Sequence, residues 1–436
     1  MAALRRILQL AKPGEAARAQ GWVSSVRKMK KWAFADITDG SSVEPLSVIL
    51  TPDQAAKLST GACVDIRGQV KESPKGATQA VELHADSVKL LGEADSTYPL
   101  QKKYHSREFL RQFPQFRWKT RTAAQVLQYR SFAIKQLTDF FNENDVVQVN
   151  SPILTSSDCE GAGEVFGLEK SLDFFGKQAY LSVSSQLHLE VYCAALARVW
   201  NMTPAFRAEA SDTNRHLSEF WMVEAELAFL DSLAELTGFC EQMVKATTPT
   251  GSIKHSILAS KRDQEARDRL EQRWDTLAGK WTTMTYTDAV DFINAHGTKV
   301  STAKWGDGLS SEQEKFLAGT LGTPVVVTDY PTEIKPFYMK ASSSQTVACF
   351  DILIPDVGEL VGGSMREDNY EKLLANLEKY DMNPESMSWY TDLRKYGSFP
   401  HGGYGLGFER LVMYTCGLDN IRDATGFIRG FGQLPC

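Results

Sequence analysis

Five short runs of alternating apolar and polar residues, packed into the stretch from residue 21 to residue 91, constrain this chain more than any other feature. They read "GWVSSV", "WAFADITDG", "PLSVIL", "CVDIRGQV" and "VELHADSVKLL". Asp39-Gly40, Gly61 and Pro74-Lys75-Gly76 punctuate them, and these residue types supply the backbone geometries of tight turns. Alternation gives each strand one apolar face. Strands this short and this closely spaced bury that face by closing into a small antiparallel barrel. The first turn region is strongly basic, with Arg27, Lys28, Lys30 and Lys31 beside Trp32 and Phe34. Cations that track phosphates and rings that stack on bases make a single-stranded nucleic-acid platform. A solvated hairpin over core aromatics explains the same residues, and the spacing alone does not choose between them.

Beyond the barrel the periodicity changes. Residues 93–120 have no clean period and read as a linker. A helix is expected over roughly 121–143, with Val126, Leu127, Phe132, Ile134, Leu137 and Phe140 on one face. "VVQVNSPIL" follows as a strand that must stop at an edge or an end, because Pro152 cannot donate to a ladder. Further strands are expected in "AYLSVSS", "FWMVEAELAF", "TPVVVTDYP" and "TVACFDILIP", with a helix near 186–199 and a helix-rich stretch over 232–320. Strands and helices mixed without a βαβ rhythm favour α+β, built on a largely antiparallel sheet. The expected domains are 1–95, a linker over 96–120, and 121–436 with a helical insertion at about 232–320.

The formal net charge is −6, which removes any whole-chain electrostatic argument for nucleic-acid binding and leaves only local basic patches. No run approaches the roughly 18 to 20 apolar residues needed to span a bilayer, so no membrane partner is expected. The seven cysteines are scattered without metal-ligand spacing, which disfavours structural zinc and points to a reducing compartment. "MAALRRILQLAKPGEAARAQ" holds two adjacent arginines and no acidic residue before Glu15. It is weakly like a mitochondrial targeting segment and equally suits the first helix of the fold.

Three stretches carry chemistry. In "FRAEASDTNRHLSEFWMVEAE", residues 206–226, a strand–loop–strand hairpin puts Arg207 and Glu209 on one face, Arg215 and His216 in the loop, and Phe220 at the start of the return strand. Arg207 can clasp a phosphate, Phe220 can stack on a ring and Glu209 can accept from an amino group. A salt-bridged surface hairpin is the alternative. "GLGFERLVMY" adds Arg410 at the head of an apolar helix; its glycines are a poor match to a dinucleotide-binding loop and suit close backbone packing instead. "FDILIPDVGELVGGSMRE" carries Asp351, Glu359 and Arg366. Two carboxylates of that kind can hold Mg²⁺ beside substrate phosphates, although acidic loops are common without a metal.

Together these stretches resemble the class II aminoacyl-tRNA synthetases. "FFNENDVVQVNSPIL", "FRAEASDTNRHLSEF" and "GLGFERL" look like the family's motifs 1, 2 and 3, in family order. The barrel points to the aspartyl, asparaginyl and lysyl group, and "SSDCEGAGEVF", "YLSVSSQLHLEVY", "DYPTEIKPFYM" and "PHGGYGLGFERL" are similar to the asparaginyl-tRNA synthetases. The resemblance implies an OB-fold anticodon domain followed by a class II catalytic domain. It implies ATP and asparagine as substrates, Mg²⁺ as cofactor, tRNA(Asn) as partner, a homodimer through the region around Pro152, and no DNA.

By the same resemblance, Arg207, Arg410 and Glu359 are catalytic. Arg207 binds the α-phosphate, Glu209 reads the adenine amino group, Phe220 and Arg410 sandwich the ring, and His216 with Arg215 meets the γ-phosphate. Asp351 and Glu359 hold Mg²⁺. Glu160, Ser184, Gln186, Glu190 and Arg366 bind the amino acid, with Glu190 accepting from the carboxamide. Leu189 stands where aspartyl enzymes carry a lysine, which favours asparagine. Arg27, Lys28, Lys30 and Phe34 meet the anticodon, while Ser47 in "EPLSVIL" departs from the family's usual glutamine. Val146 and "FIRG" at 427–430 depart as well. Alternatives are an aspartyl or non-discriminating enzyme and an inactive RNA-binding relative. The compartment expected is the mitochondrial matrix, with the cytoplasm as alternative.

Overall fold

The computed structural model describes residues 4–77, 79–156, 165–261, 263–298 and 300–436. The chain divides into two compact units, Met1–Gln128 with Gly251–Arg262, and Tyr129–Thr250 with Asp263–Cys436. Among the described residues no helix is long and apolar enough to cross a membrane.

The first unit holds a closed barrel of β1 (Ala16–Lys28), β2 (Ala33–Thr38), β3 (Leu46–Leu50), β4 (Cys63–Glu72) and β5 (Val81–Gly92), in the order β1-β2-β3-β5-β4. Every second residue points inward. Ala33, Ala35 and Ile37 of β2 and Leu46, Val48 and Leu50 of β3 are all buried, and together with Val64, Ile66, Val70 and Leu83 they fill the barrel. One pairing departs from the antiparallel expectation: β3 and β5 run parallel through Val48↔Leu83 and Ile49↔His84. Because β4 intervenes in sequence, β5 reaches the free edge of β3 in that direction. The helix Leu4–Leu10 buries Leu4 and Ile7 in the barrel core, so these residues serve the fold. The linker carries a helix, Arg107–Arg111, capped by Ser106, and a turn of 3₁₀ helix at Arg117–Lys119.

The second unit is built on an eight-stranded sheet and a two-stranded ribbon. In chain order its strands are β6 (Val147–Gln148), β7 (Leu154–Thr155), β8 (Tyr180–Leu181), β9 (Arg198–Phe206), β10 (Glu219–Ala228), β11 (Thr282–Thr285), β12 (Val325–Thr328), β13 (Cys349–Ile354), β14 (Gly358–Met365) and β15 (His401–Gly407). The sheet order is β11-β12-β13-β14-β15-β10-β9-β6, and β7 pairs β8 as the ribbon. Its six central strands are antiparallel; only the edge pairs β11·β12 and β6·β9 are parallel. The "VVQVNSPIL" segment divides into β6 and β7 on either side of Pro152, because proline has no N–H to give.

Helices cover the sheet. Gln186–Leu196 packs on β9 and β10, burying Leu187, Leu189 and Cys193. Ser311–Leu321 begins at a capping box between Ser310 and Gln313 and ends at Gly322 with φ 66°, the left-handed geometry glycine adopts without strain. Both ends of this helix are therefore fixed locally, and it lies against β13 and β14. A core of Leu187, Tyr286, Ile293, Leu317, Val325, Phe337, Leu353 and Tyr390 joins helices to sheet.

Candidate active site

The return strand β10 explains the charges of residues 206–226. Its alternate residues Phe220, Met222, Glu224 and Glu226 all line one cavity of about 470 Å³, as a period of two requires. Just beyond β9, the Arg207 N–H donates to the Ser218 carbonyl at 2.9 Å, extending the hairpin and placing the Arg207 guanidinium 5.7 Å from the Phe220 ring centre. The loop is held by His216, whose Nδ1 lies 2.9 Å from Ser211 Oγ and 2.7 Å from Thr213 Oγ1. Its Nε2 is 3.8 Å from the Glu209 carboxylate. Burial, aided by Arg215, Arg410 and Arg207 against Glu209, lowers the proton affinity of His216 below its ordinary value. Arg215 reaches across to Glu314 at 3.0 Å, and Glu314 also accepts the Glu359 N–H at 3.2 Å.

Opposite the hairpin, Arg410 enters from the helix Phe408–Thr415 and donates to the Glu359 carbonyl (2.8 Å) and carboxylate (3.3 Å). The preceding Glu409 accepts from the Trp221 N–H at 2.9 Å and from Arg130 at 2.8 Å, which fixes the head of that helix against β10. The Asp351 and Glu359 carboxylates converge over Gly362, where a β-carbon would stand 3.4 Å from one and 3.3 Å from the other. Burial and the nearby Glu359 push the Asp351 carboxyl upward despite Lys335, which donates to it at 2.7 Å. Burial acts on Glu359 in the same sense, but Arg410, Lys335 and Arg207 outweigh it and hold this carboxyl below its usual range. Two carboxylates brought together in a cleft lined by Arg207, Arg215 and Arg410 suit an oxygen-seeking divalent ion.

At the other end of the cavity lie Ser184, Gln186, Glu224, Glu226 and Arg366. Glu224 takes the Ser185 N–H at 2.9 Å and the Ser184 hydroxyl. Arg366 grips Glu226 with two parallel bonds of 3.0 and 2.9 Å and donates to Ser364 Oγ at 2.8 Å. Gly403 makes this possible, since a β-carbon there would lie 2.0 Å from the Glu226 carboxylate. Gly402, Gly403 and Gly405 of "PHGGYGLG" are thus close-packing positions, whereas a β-carbon at Gly407 would make only ordinary contact with Arg410.

Eleven expected site residues therefore meet in one cleft: Ser184, Gln186, Arg207, Glu209, Arg215, His216, Phe220, Asp351, Glu359, Arg366 and Arg410. Glu160 lies outside the described residues. Glu190 is a correction: it is fully buried behind the cavity wall and does not line it. Its carboxylate accepts from Arg394 at 2.5 Å, Tyr390 at 2.9 Å and Gln186 at 3.2 Å, leaving nothing to face a ligand. Glu190, Glu226 and His401 bring three ligand-type atoms within 4.8 Å, yet Arg366 and Arg394 already neutralise both carboxylates, so the cluster is an ion-pair array. Glu224 and Glu226 were findable in the sequence from the alternation that starts at Phe220. Lys335, Glu314 and Arg394 come from remote segments with no local signal.

On the barrel, Arg27 of β1 faces Phe34 of β2 in register, with its guanidinium 5.1 Å from the ring. Lys30 is exposed, and Lys28 donates to the Ala56 carbonyl at 2.8 Å. Ser47 donates to Asp36 at 3.3 Å beside Ser25 at 2.6 Å, so the position where a glutamine is usual belongs to a small hydroxyl–carboxylate cluster.

Comparison with known proteins follows the same division. The description "OB-fold nucleic acid binding domain" matches residues 17–91, and "tRNA synthetases class II (D, K and N)" matches residues 106–429. The chain is 44% identical to the mitochondrial asparagine–tRNA ligase of Schizosaccharomyces pombe, over 97% of this chain and 95% of that one. It is 43% identical to the asparagine–tRNA ligase of Desulfotalea psychrophila, over 95% of each. The crystal structure of asparaginyl-tRNA synthetase from Pyrococcus horikoshii complexed with asparaginyl-adenylate superposes with a TM-score of 0.87 at 31% identity, covering 97% of this chain and 96% of that one. Because the matched span takes in the hairpin, the paired carboxylates and the Arg366 end of the cleft alike, the chain belongs to the class II tRNA synthetases (D, K and N).

Proposed function

We propose that the protein is an asparagine–tRNA ligase, joining asparagine to the terminal adenosine of tRNA(Asn) at the expense of ATP. The observation that carries this reading is the Arg366–Glu226 pair lining the cleft. A donor and an acceptor held side by side fit a carboxamide, whose oxygen takes an Arg366 N–H and whose NH₂ donates to Glu226. An aspartate carboxylate would meet Glu226 as a like charge, and Leu189 offers no cation to offset it. In the first step an asparagine carboxylate oxygen bonds to the α-phosphorus, the bond to the β-phosphate oxygen breaks, and pyrophosphate leaves. In the second, the ribose hydroxyl of tRNA attacks the activated carbonyl carbon, AMP leaves, and the hydroxyl proton passes to solvent.

The residues act by positioning and charge. Arg207 stabilises the α-phosphate, Phe220 and Arg410 hold the adenine between them, and Glu209 accepts from its amino group. Arg215 and His216 meet the γ-phosphate. Ser184 and Gln186 border the amino-acid end. Mg²⁺, held by Asp351 and Glu359, would neutralise charge on the departing phosphates. On the barrel, Phe34 stacks on an anticodon base while Arg27, Lys28 and Lys30 follow the phosphates.

Two protomers pair through the strip around Pro152, where Val147, Ile153 and Leu154 are 45, 40 and 46% exposed. The compartment proposed is the mitochondrial matrix, supported by the mitochondrial relatives of fungi; tagging and fractionation test it. The activity is tested by ATP–pyrophosphate exchange with each amino acid in turn. Exchange with asparagine alone is expected, and exchange with aspartate, or none, overturns the reading.

A further inference from the structure

Behind the wall of the amino-acid end, two arginines and two glutamates form a closed, charge-balanced array. Arg366, Glu226, Glu190 and Arg394 are all at least 96% buried. Arg366 Nε stands 3.0 Å from the Glu226 carboxylate and only 3.9 Å from that of Glu190. Glu190 is therefore an alternative partner within reach of the very guanidinium that faces the ligand. What occupies Glu190 instead is Arg394, at 2.5 Å, with Tyr390 at 2.9 Å and His401 Nε2 at 3.0 Å.

Arg394 is itself held fast. It comes from the helix Ser388–Lys395, donates through Nε to the Glu367 carbonyl at 2.9 Å, and stacks over the Tyr390 ring at 4.4 Å. It does not line the cavity. Burial works against the charge on Glu190, but Arg394, His401 and Arg366 together hold its carboxyl below the usual range; burial and Glu190 push that of Glu226 above it. A carboxylate buried this deeply and deprived of its cation seeks another, because the interior does not screen it.

We propose that Arg394 is a positioning residue for amino-acid selection: by saturating Glu190 it keeps Arg366 on Glu226, and so maintains the donor–acceptor pair that reads a carboxamide. The proposal rests on the asparagine–tRNA ligase reading. In its absence Glu190 draws Arg366 away, and Glu226 faces the ligand without its partner.

The test is ATP–pyrophosphate exchange by the full-length protein, wild type against Arg394→Met and the double variant Arg394→Met/Glu190→Gln. In Arg394→Met the KM for asparagine should rise at least tenfold, about 1.4 kcal/mol, with the KM for ATP unchanged. The double variant, which removes both charges, should recover most of that loss. Equal rises in both KM values, an unchanged KM for asparagine, or a double variant as impaired as the single one overturns the proposal. If Arg394→Met does not fold, the double variant decides alone: a KM for asparagine near wild type supports it and a raised one overturns it. Absence of asparagine exchange in the wild type overturns the functional reading and this proposal with it, whereas normal wild-type exchange with unresponsive variants overturns this proposal alone.

Discussion

The barrel patch and the cleft handle charge in opposite ways. On the barrel, partners are register neighbours: Arg27 faces Phe34, and Ser25, Asp36 and Ser47 meet at sequence separations of 11. Its cations stand largely in water, where each can be changed at small cost. In the cleft Arg366 and Glu226 are 140 residues apart, and behind its wall Arg394 and Glu190 are 204 apart, all of them buried. There each charge depends on a partner delivered by a distant segment, and losing one leaves the other stranded. Surface recognition is modular, whereas the buried ion pairs at and behind the cleft wall depend on one another.

This contrast is easiest to break at Arg366. Arg366→Leu leaves Glu226 buried without its cation and should cost about 3–5 kcal/mol of stability, measured by urea unfolding. A loss under about 1 kcal/mol would show that the cleft tolerates charge as the surface does. Arg207→Ala removes the cation proposed to meet the α-phosphate and should slow pyrophosphate exchange about 10²- to 10³-fold while the unfolding curve stays in place. On the barrel, Phe34→Ala should weaken tRNA binding by about 1–3 kcal/mol and leave pyrophosphate exchange untouched; a fall in exchange would mean the two sites are not modular. The smallest effect is expected from Asp65, whose carboxyl Arg18 holds below its usual value. A depressed carboxylate contributes stability above its ordinary titration range and loses it as pH falls through the lowered value. Asp65→Asn should therefore flatten only the acid limb of the stability profile.

Much of this was legible locally. Alternation within residues 21–91 marks all five barrel strands, and the spacing of Arg207, Glu209, His216 and Phe220 marks an anion-and-ring site. The same alternation continued past Phe220 leads to Glu224 and Glu226. Glu190, read from the family resemblance as the carboxamide acceptor beside Leu189, shows what a sequence leaves open. It lies four residues after Gln186 on the same helix face, yet Gln186 borders the cavity and Glu190 sits a turn deeper, hydrogen-bonded behind it. Helical period gives a face; it does not say how deep each turn of that face lies.

By itself, the sequence determined the strands, the hairpin and the kind of chemistry its side chains can do, because periods of two and 3.6 residues are properties of the local backbone. Only the tertiary structure decided which charges neutralise which: Lys335 on Asp351, Glu314 on Arg215, and Arg394 on Glu190. Coulomb energies and desolvation depend on distance and burial in the folded chain, and residues 16, 99 and 204 positions apart acquire both only when the sheet and its helices close around them.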